Sequence, residues 1–299
     1  MKEVRRKEIQ RGKKSGFKII EPYLYLIPAL GLMLAFTYYP FAKTVVHSTF
    51  LTNATGQAVE FVGAENYVNI FKDPVFIKSI KNTLVYTFCQ VPITISLALM
   101  LALAACTKRK TSGLYEIMFS FPMAVSMSVA ALIFKLLLNP QIGALNHIFN
   151  IDCLWFNGES SAMPAIIILG IWLGLGMDFL FLLSAVRGVS DDLLEAAKID
   201  GANFWNQLKD IYIPMISPTL FYLLCTNLAA SMMMSGQVIV LTKGGPNNST
   251  STIIYYMYKK AFEIYSYGAS YAAAIIGFVF AFVMILISFR FEKKGVHYN

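Results

Sequence analysis

The sequence predicts an all-α membrane protein of six transmembrane helices, and three observations predict it. The first is composition. Of 299 residues 57% are hydrophobic and only 14% are charged, against roughly 25% charged in an average soluble domain. The second is the distribution of the apolar residues. They gather in six stretches, each near the ~20 residues needed to cross a bilayer: Tyr23–Ala42, Asn82–Cys106, Leu114–Leu138, Pro164–Val186, Tyr212–Met234 and Tyr271–Phe291. The third is charge. Seventeen of the 25 Lys and Arg residues fall on one side of these spans and seven on the other, with Lys135 inside a span. Every loop obeys the alternation. Short basic loops stay in the cytoplasm, so both termini and the loop after the fourth span are expected there.

The formal charge of +8 does not point to nucleic acid, because the excess sits in the short flanks of the spans. The chain is therefore expected in the cell (plasma or inner) membrane, multi-pass, with lipid as its surroundings. Cys89, Cys106, Cys153 and Cys225 have neither metal nor redox spacing, so no disulfide framework and no metal site is expected.

Taken in order, residues 1–21 form a basic cytoplasmic tail. The apolar run that follows is longer than a signal-peptide core and has no small-residue cleavage site after it, so it reads as a retained anchor. Residues 22–291 make the six-helix transmembrane part, and residues 292–299 a short cytoplasmic tail. In the long first outer loop, Phe71, Val75, Phe76 and Ile80 suit a short amphipathic helix lying at the interface. Lys135, near the outer end of the third span, can snorkel. The outer loop Asn139–Met163 has no Lys or Arg and is expected to be irregular with short helical pieces. Its Trp155 and Phe156 suit a membrane interface. After the fifth span, Gly244, Gly245 and Pro246 break any helix and force a turn. The small residues Ala272, Ala273, Ala274 and Gly277 permit close helix approach.

The most informative polar stretch is Ser190–Thr219, within the loop 187–214. Ser190 can cap a helix whose first turn carries Asp191 and Asp192. Leu193, Leu194, Ala196, Ala197 and Ile199 give it an apolar face. Gly201 falls where a helix ends on a residue of positive φ. Asn203 can open a second short helix through Asp210, and Pro214 starts the next span. Helix, sharp turn, helix is the shape of an element held by a partner, although an ordinary amphipathic loop has the same spacing.

These residues also carry a resemblance. Glu195-Ala196-Ala197, then Gly201, then Ile213-Pro214 resembles the EAA loop of importer-type ABC permeases. The fuller run from Glu195 to Trp205, including Asp200, is similar to the sugar-permease branch. So are Phe61–Tyr67 with Asn82-Thr83, the Leu241–Pro246 run, and Tyr267–Ala274. The likeness extends from about Pro22 to the C-terminus and weakens in the tails and in Asn139–Met163. It implies the importer-type permease fold, with Glu195, Ala196, Ala197, Asp200 and Gly201 coupling to an ATPase subunit. It implies that Gly244, Gly245 and Pro246 meet an extracellular solute-binding protein. It implies two ABC ATPase subunits that hold ATP and Mg, and a second, related but different permease chain. No cofactor is expected on this chain.

Polar side chains inside spans face protein or a water-filled path. Asp178 is the clearest. It reads either as an acceptor for substrate hydroxyls or as the partner of a basic or amide group on a neighbouring subunit. Asn227 and Ser231 share a helical face with Met234. By resemblance, Asn227, Ser231 and Met234 of the fifth span look toward the pathway, as do Leu173, Gly174 and Met177 of the fourth. Interhelical hydrogen bonding accounts for the same polar face. Asp178 departs from the family pattern, admits an amino sugar, and weighs against an anionic group bound beside it.

No G-x-x-x-x-G-K-[ST] occurs, so ATP hydrolysis is not expected on this chain. Nor are there nucleophile or zincin motifs, and no catalytic residue is expected. The reading is therefore a permease subunit of an ATP-driven importer of a carbohydrate. A stand-alone secondary transporter or channel would need several buried charges, and Asp178 alone qualifies. A membrane-embedded enzyme would need a nucleophile or metal cluster that is absent.

Overall fold

A computed structural model describes residues 22–106 and 112–295. The basic tail of residues 1–21, the cluster Lys108–Lys110 and residues 296–299 lie outside the described residues. Helix α1 is Pro22–His47. A hairpin follows, β1 Phe50–Thr52 and β2 Ala58–Phe61, then α2 Glu65–Lys72 and α3 Pro74–Ala105. Next come α4 Ser112–Ala124, α5 Met127–Leu137 and the short α6 Ala144–Phe149. Helix α7 is Ala162–Arg187, α8 is Asp191–Ile199, and α9 is Phe204–Met232. The chain ends with α10 Gly236–Leu241, α11 Ile253–Phe262 and α12 Tyr267–Gly295.

Five of these helices are long and apolar enough to cross a membrane, and the pair α4–α5 makes a sixth, bent span. The third span, expected over Leu114–Leu138, is present but bent by 102° between its two helices. Pro122 inside α4 has no N–H to give the preceding turn. The extended Ser126 (ψ 147) then restarts the chain, its hydroxyl capping the Val129 N–H at 3.4 Å.

Helix α7 sits at the centre, packed most extensively on α3 and then on α4. The fit to α3 comes from Ala98, Ala102 and Ala105, all fully or almost fully buried and spaced three and four apart. They lie with Phe179, Leu182, Val186 and Leu223 in one apolar cluster, since small side chains let helices approach closely. A second cluster joins Ile166 and Leu169 to Ala130, Val238 and Tyr255. A third holds Ile70 and Phe76 against Ile253, Ala272 and Ala273. The small-residue stretch of α12 therefore packs within the subunit. Helix α1 packs on α12 alone among the other helices with an extensive contact, and buries none of its apolar residues.

The first outer loop differs from expectation. Val75, Phe76 and Ile80 belong to the start of α3, not to an interfacial helix. Asp73 caps α3 by accepting the Val75 N–H at 2.9 Å, and Pro74 occupies the first turn, where no donor is lost. Phe76 is fully buried, while Phe71 on α2 is half exposed. The hairpin was not anticipated. Asn53 organises its turn, accepting from the backbone of Thr55 and Gln57, and Gly56 takes φ +80. Further on, α6 supplies the short helical piece expected after Asn139. There Trp155 Nε1 donates to Asn146 Oδ1 at 2.6 Å.

Candidate functional site

Three groups of residues singled out in the sequence form three separate places in the fold. The first is the loop between α7 and α9. Ser190 caps α8 by accepting the Asp192 N–H at 3.2 Å, and Asn203 caps α9 by accepting the Asn206 N–H at 2.9 Å. Gly201 has φ +82. The Ala202 N–H reaches back to Ala197 O at 2.9 Å, and the Gly201 N–H to Lys198 O at 3.1 Å. This is the paired-bond ending that closes a helix on a left-handed residue. The buried Gln207 completes the turn by donating Nε2 to Ala202 O at 3.0 Å. Nothing in the local spacing of the sequence singles out this side chain.

Glu195, Ala196, Asp200 and Gly201 are exposed and Ala197 is half buried. Around them the loop leaves large apolar groups uncovered: Leu193, Ile199 at 86% exposure, Phe204 and Trp205 at 72%.

The second short helix does not stop before Pro214, as expected. It runs unbroken into the membrane as α9. A π turn at Leu208–Tyr212, closed by the Ile213 N–H to Leu208 O bond, absorbs the proline. The same device precedes Pro40 in α1, where the Tyr39 N–H bonds Leu34 O. One continuous helix therefore joins the loop to the membrane interior. On its other side, Arg187 at the end of α7 pairs with Glu116 of α4 at 2.6 Å.

The second place is a cavity of about 390 Å³ lined by residues of α3, α7 and α9 together with Met127 and the Met233–Gln237 turn. Leu173, Gly174, Asn227, Ser231 and Met234 are all among its lining. Met177 and Asp178 are not among its lining. Met177 is half exposed. Asp178 is buried, and the amide it meets belongs to this same chain. Asn227 Nδ2 donates to its two oxygens at 3.1 and 2.9 Å and to Leu223 O at 2.9 Å. The cavity adds residues that sequence reading missed: Tyr86, Gln90 and Gln237, with Tyr86 OH donating to Gln237 Oε1 at 3.3 Å. Gln90 is a polar side chain inside an apolar span, so the rule that picked out Asp178 would also have found it. Glycines shape the wall. A Cβ on Gly170 would collide with the Tyr86 hydroxyl, and one on Gly174 would press on Thr94 at 3.2 Å.

A larger groove of about 510 Å³ between α3, α9 and α12 is lined mainly by apolar side chains, with Thr87, Ser217, Ser288 and Glu292 among them, and contains none of the predicted site residues.

The third place is the Gly244–Pro246 turn at the opposite end of the molecule from the α7–α9 loop. Gly244 has φ +79 and is buried under Tyr255, and a Cβ there would lie 2.5 Å from the ring. Gly245 and Pro246 are half buried, and the exposed members of the turn are Lys243 and Asn247. The turn is clamped from two sides. Lys78 bonds Asn247 O at 2.7 Å and Glu159 at 3.1 Å, while Asn247 Nδ2 donates to Glu159 at 3.1 Å. Asn82 Nδ2 donates to Asn248 O and Ser251 O. Asn247 and Lys78 together hold the Glu159 carboxyl below its usual range.

A family model described as binding-protein-dependent transport system inner membrane component matches residues 90–295. The sn-glycerol-3-phosphate transport system permease protein UgpA of Agrobacterium fabrum is 30% identical over 284 residues, covering 94% of this chain and 97% of the relative. A probable ABC transporter permease protein, YurN of Bacillus subtilis, is 30% identical over 286 residues, covering 93% and 97%. Among solved structures, a chain of a bacterial ABC transporter involved in the import of the acidic polysaccharide alginate superposes with a TM-score of 0.80. At 24% identity it covers 94% of this chain and 98% of that one. That likeness is one of fold.

Proposed function

This chain belongs to the family of binding-protein-dependent transport system inner membrane components, and from that premise we propose that it is one permease subunit of an ATP-driven carbohydrate importer. The sugar assignment follows the names of its relatives and the chemistry of the cavity. Amides, hydroxyls and one tyrosine suit a polyhydroxyl solute, which is held by a few placed polar groups. ATP and Mg belong to two separate ABC ATPase subunits. A second, related permease chain completes the path, and an extracellular binding protein delivers the solute near the Gly244–Pro246 turn.

The observation that carries this reading is the α8–Gly201–α9 loop. It is exposed and apolar, and it is continuous with the helix that lines the cavity. In this account the loop faces the cytoplasm, as do both termini. It docks through Leu193, Ile199, Phe204 and Trp205, with Glu195 bonding the ATPase. Ala196 and Ala197 allow close packing, and Asp200 and Gly201 set the bend. From Phe204 to Asn227 the helix covers roughly 35 Å at 1.5 Å per residue. A push at the loop therefore reaches the cavity wall through one rigid element, and alternating access follows. Co-purification of the chain from gentle detergent tests the assembly. ATPase subunits and a second permease in the complex support the proposal. A homogeneous chain with no ATPase attached counts against it.

A further inference from the structure

Among the described residues Asp178 is the one buried acidic side chain, and it does not line the cavity. An ionised carboxylate only accepts hydrogen bonds, so the face of the Asn227 amide turned toward it must be the NH2 group. That NH2 is used up by Asp178 and by Leu223 O. The amide therefore has a single orientation. Its carbonyl oxygen points the other way, toward Gly174, whose Cβ would stand 3.8 Å from Oδ1 on the cavity wall. Among the described residues no side chain or backbone donor is bonded to Oδ1. No Lys, Arg or His lines the cavity. The wall thus offers an acceptor backed by a negative charge, with no cationic side chain among the described residues that line it.

We infer that Asp178 is a positioning residue that aims Asn227 Oδ1 into the cavity, and that the wall so built takes a neutral or amino-bearing polyhydroxyl solute and disfavours an anionic one. The inference rests on the permease reading above. It separates this chain from relatives whose names specify glycerol 3-phosphate or an acidic polysaccharide. A fixed charge close behind the wall of a partly buried path still discriminates by sign, at an effective dielectric near 20.

The test needs no knowledge of the solute. In the assembled transporter in membranes, Cys89, Cys106, Cys153 and Cys225 are replaced by serine. Ala230→Cys then places one thiol on the cavity wall, one helical turn from Asn227. Its rates with trimethylammonium-ethyl and sulfonatoethyl methanethiosulfonate are each divided by the rate with free cysteine. The expected cationic-to-anionic ratio is on the order of a hundredfold, because unit charges ~10 Å apart at an effective dielectric near 20 favour one reagent and disfavour the other by more than tenfold each. Asp178→Asn keeps an acceptor for the Asn227 amide and brings the ratio close to one while the thiol stays reactive. Exchanging the pair, Asp178→Asn with Asn227→Asp, restores the ratio to the parent value or above it. A purely structural Asp178 would leave the ratio unmoved. A ratio at or below one in the parent, or one indifferent to Asp178→Asn, overturns the inference alone. A thiol that reacts with neither reagent removes the aqueous path, and both readings fall.

Discussion

Gly201→Asp separates a coupling role from a folding role. The glycine sits at φ +82, and a Cβ built on it meets nothing within 4 Å. No steric cost attaches to the new side chain. What remains is the left-handed backbone, which costs an L residue roughly 1–2 kcal/mol. Asp and Asn fall at the low end because they visit that region more readily than other residues. The strain acts on a turn whose two helices are capped independently by Ser190 and Asn203. Of α8 only Leu194 packs against the apolar cluster that holds α7 and α9 together, so the strain at residue 201 falls outside that cluster. Membrane insertion and thermal stability should therefore stay near the parent values. The carboxylate, however, lands next to the exposed Asp200, in the loop proposed to dock the ATPase. Vesicle uptake and solute-stimulated ATP hydrolysis should fall to background for Gly201→Asp. Gly201→Asn, with the same backbone cost and no charge, should lose only about fivefold, the equivalent of ~1 kcal/mol. Parent-level uptake by Gly201→Asp would refute the reasoning. So would failure of that variant to insert, since the loss would then be one of folding.

Three further predictions follow from the same geometry. Gly244→Ala must displace the buried Tyr255 ring from 2.5 Å and strain a positive φ, so it should cost about 1–3 kcal/mol by overpacking and lower the melting temperature in detergent. Gly245→Ala, 3.2 Å from Thr242 O and without positive φ, should cost less. Gln207→Ala loses the bond to Ala202 O, worth about 0.5–1.5 kcal/mol, and should speed limited proteolysis of the loop without altering expression. At the head of α3, burial raises the Asp73 carboxyl, but bonds from Tyr256, the Val75 N–H and Lys260 outweigh it and leave the group below its usual range. Its folded value is the depressed one. The stability it contributes is therefore full above the unfolded value of about 3.9 and is lost as pH falls through the folded value. A melting series from pH 6 to pH 3 should show a steeper acid loss in the parent than in Asp73→Asn.

Much of this was legible in the sequence, and the gaps have physical causes. The spans were legible because crossing a bilayer demands a long apolar run, and the loop because helix caps and a left-handed glycine have few acceptable residues. Ser190, Gly201 and Asn203 take the positions their chemistry dictates. The broken third span was signalled by Pro122 and Ser126, but a uniformly apolar run hid the break. The unbroken passage from loop to α9 was not legible. A π turn shifts one hydrogen bond and leaves the apolar pattern almost unchanged, so Pro214 read as a start where it is only a site of repair. The hairpin was missed because its strands are three and four residues long, although Asn53 and Gly56 are turn residues. At the cavity, periodicity placed Asn227, Ser231 and Met234 on one face. It could not tell that Asp178 turns toward Asn227 and away from the cavity, because that depends on how two distant helices meet.

Purified subunits reconstituted into liposomes, with and without the ATPase partners, give the most direct measurement of the central claim. Labelled solute and its binding protein are supplied outside and ATP inside. Uptake that appears only when ATPase subunits and ATP are both present, and that Gly201→Asp abolishes, is the predicted result. Solute accumulation by the permease chains alone would contradict it.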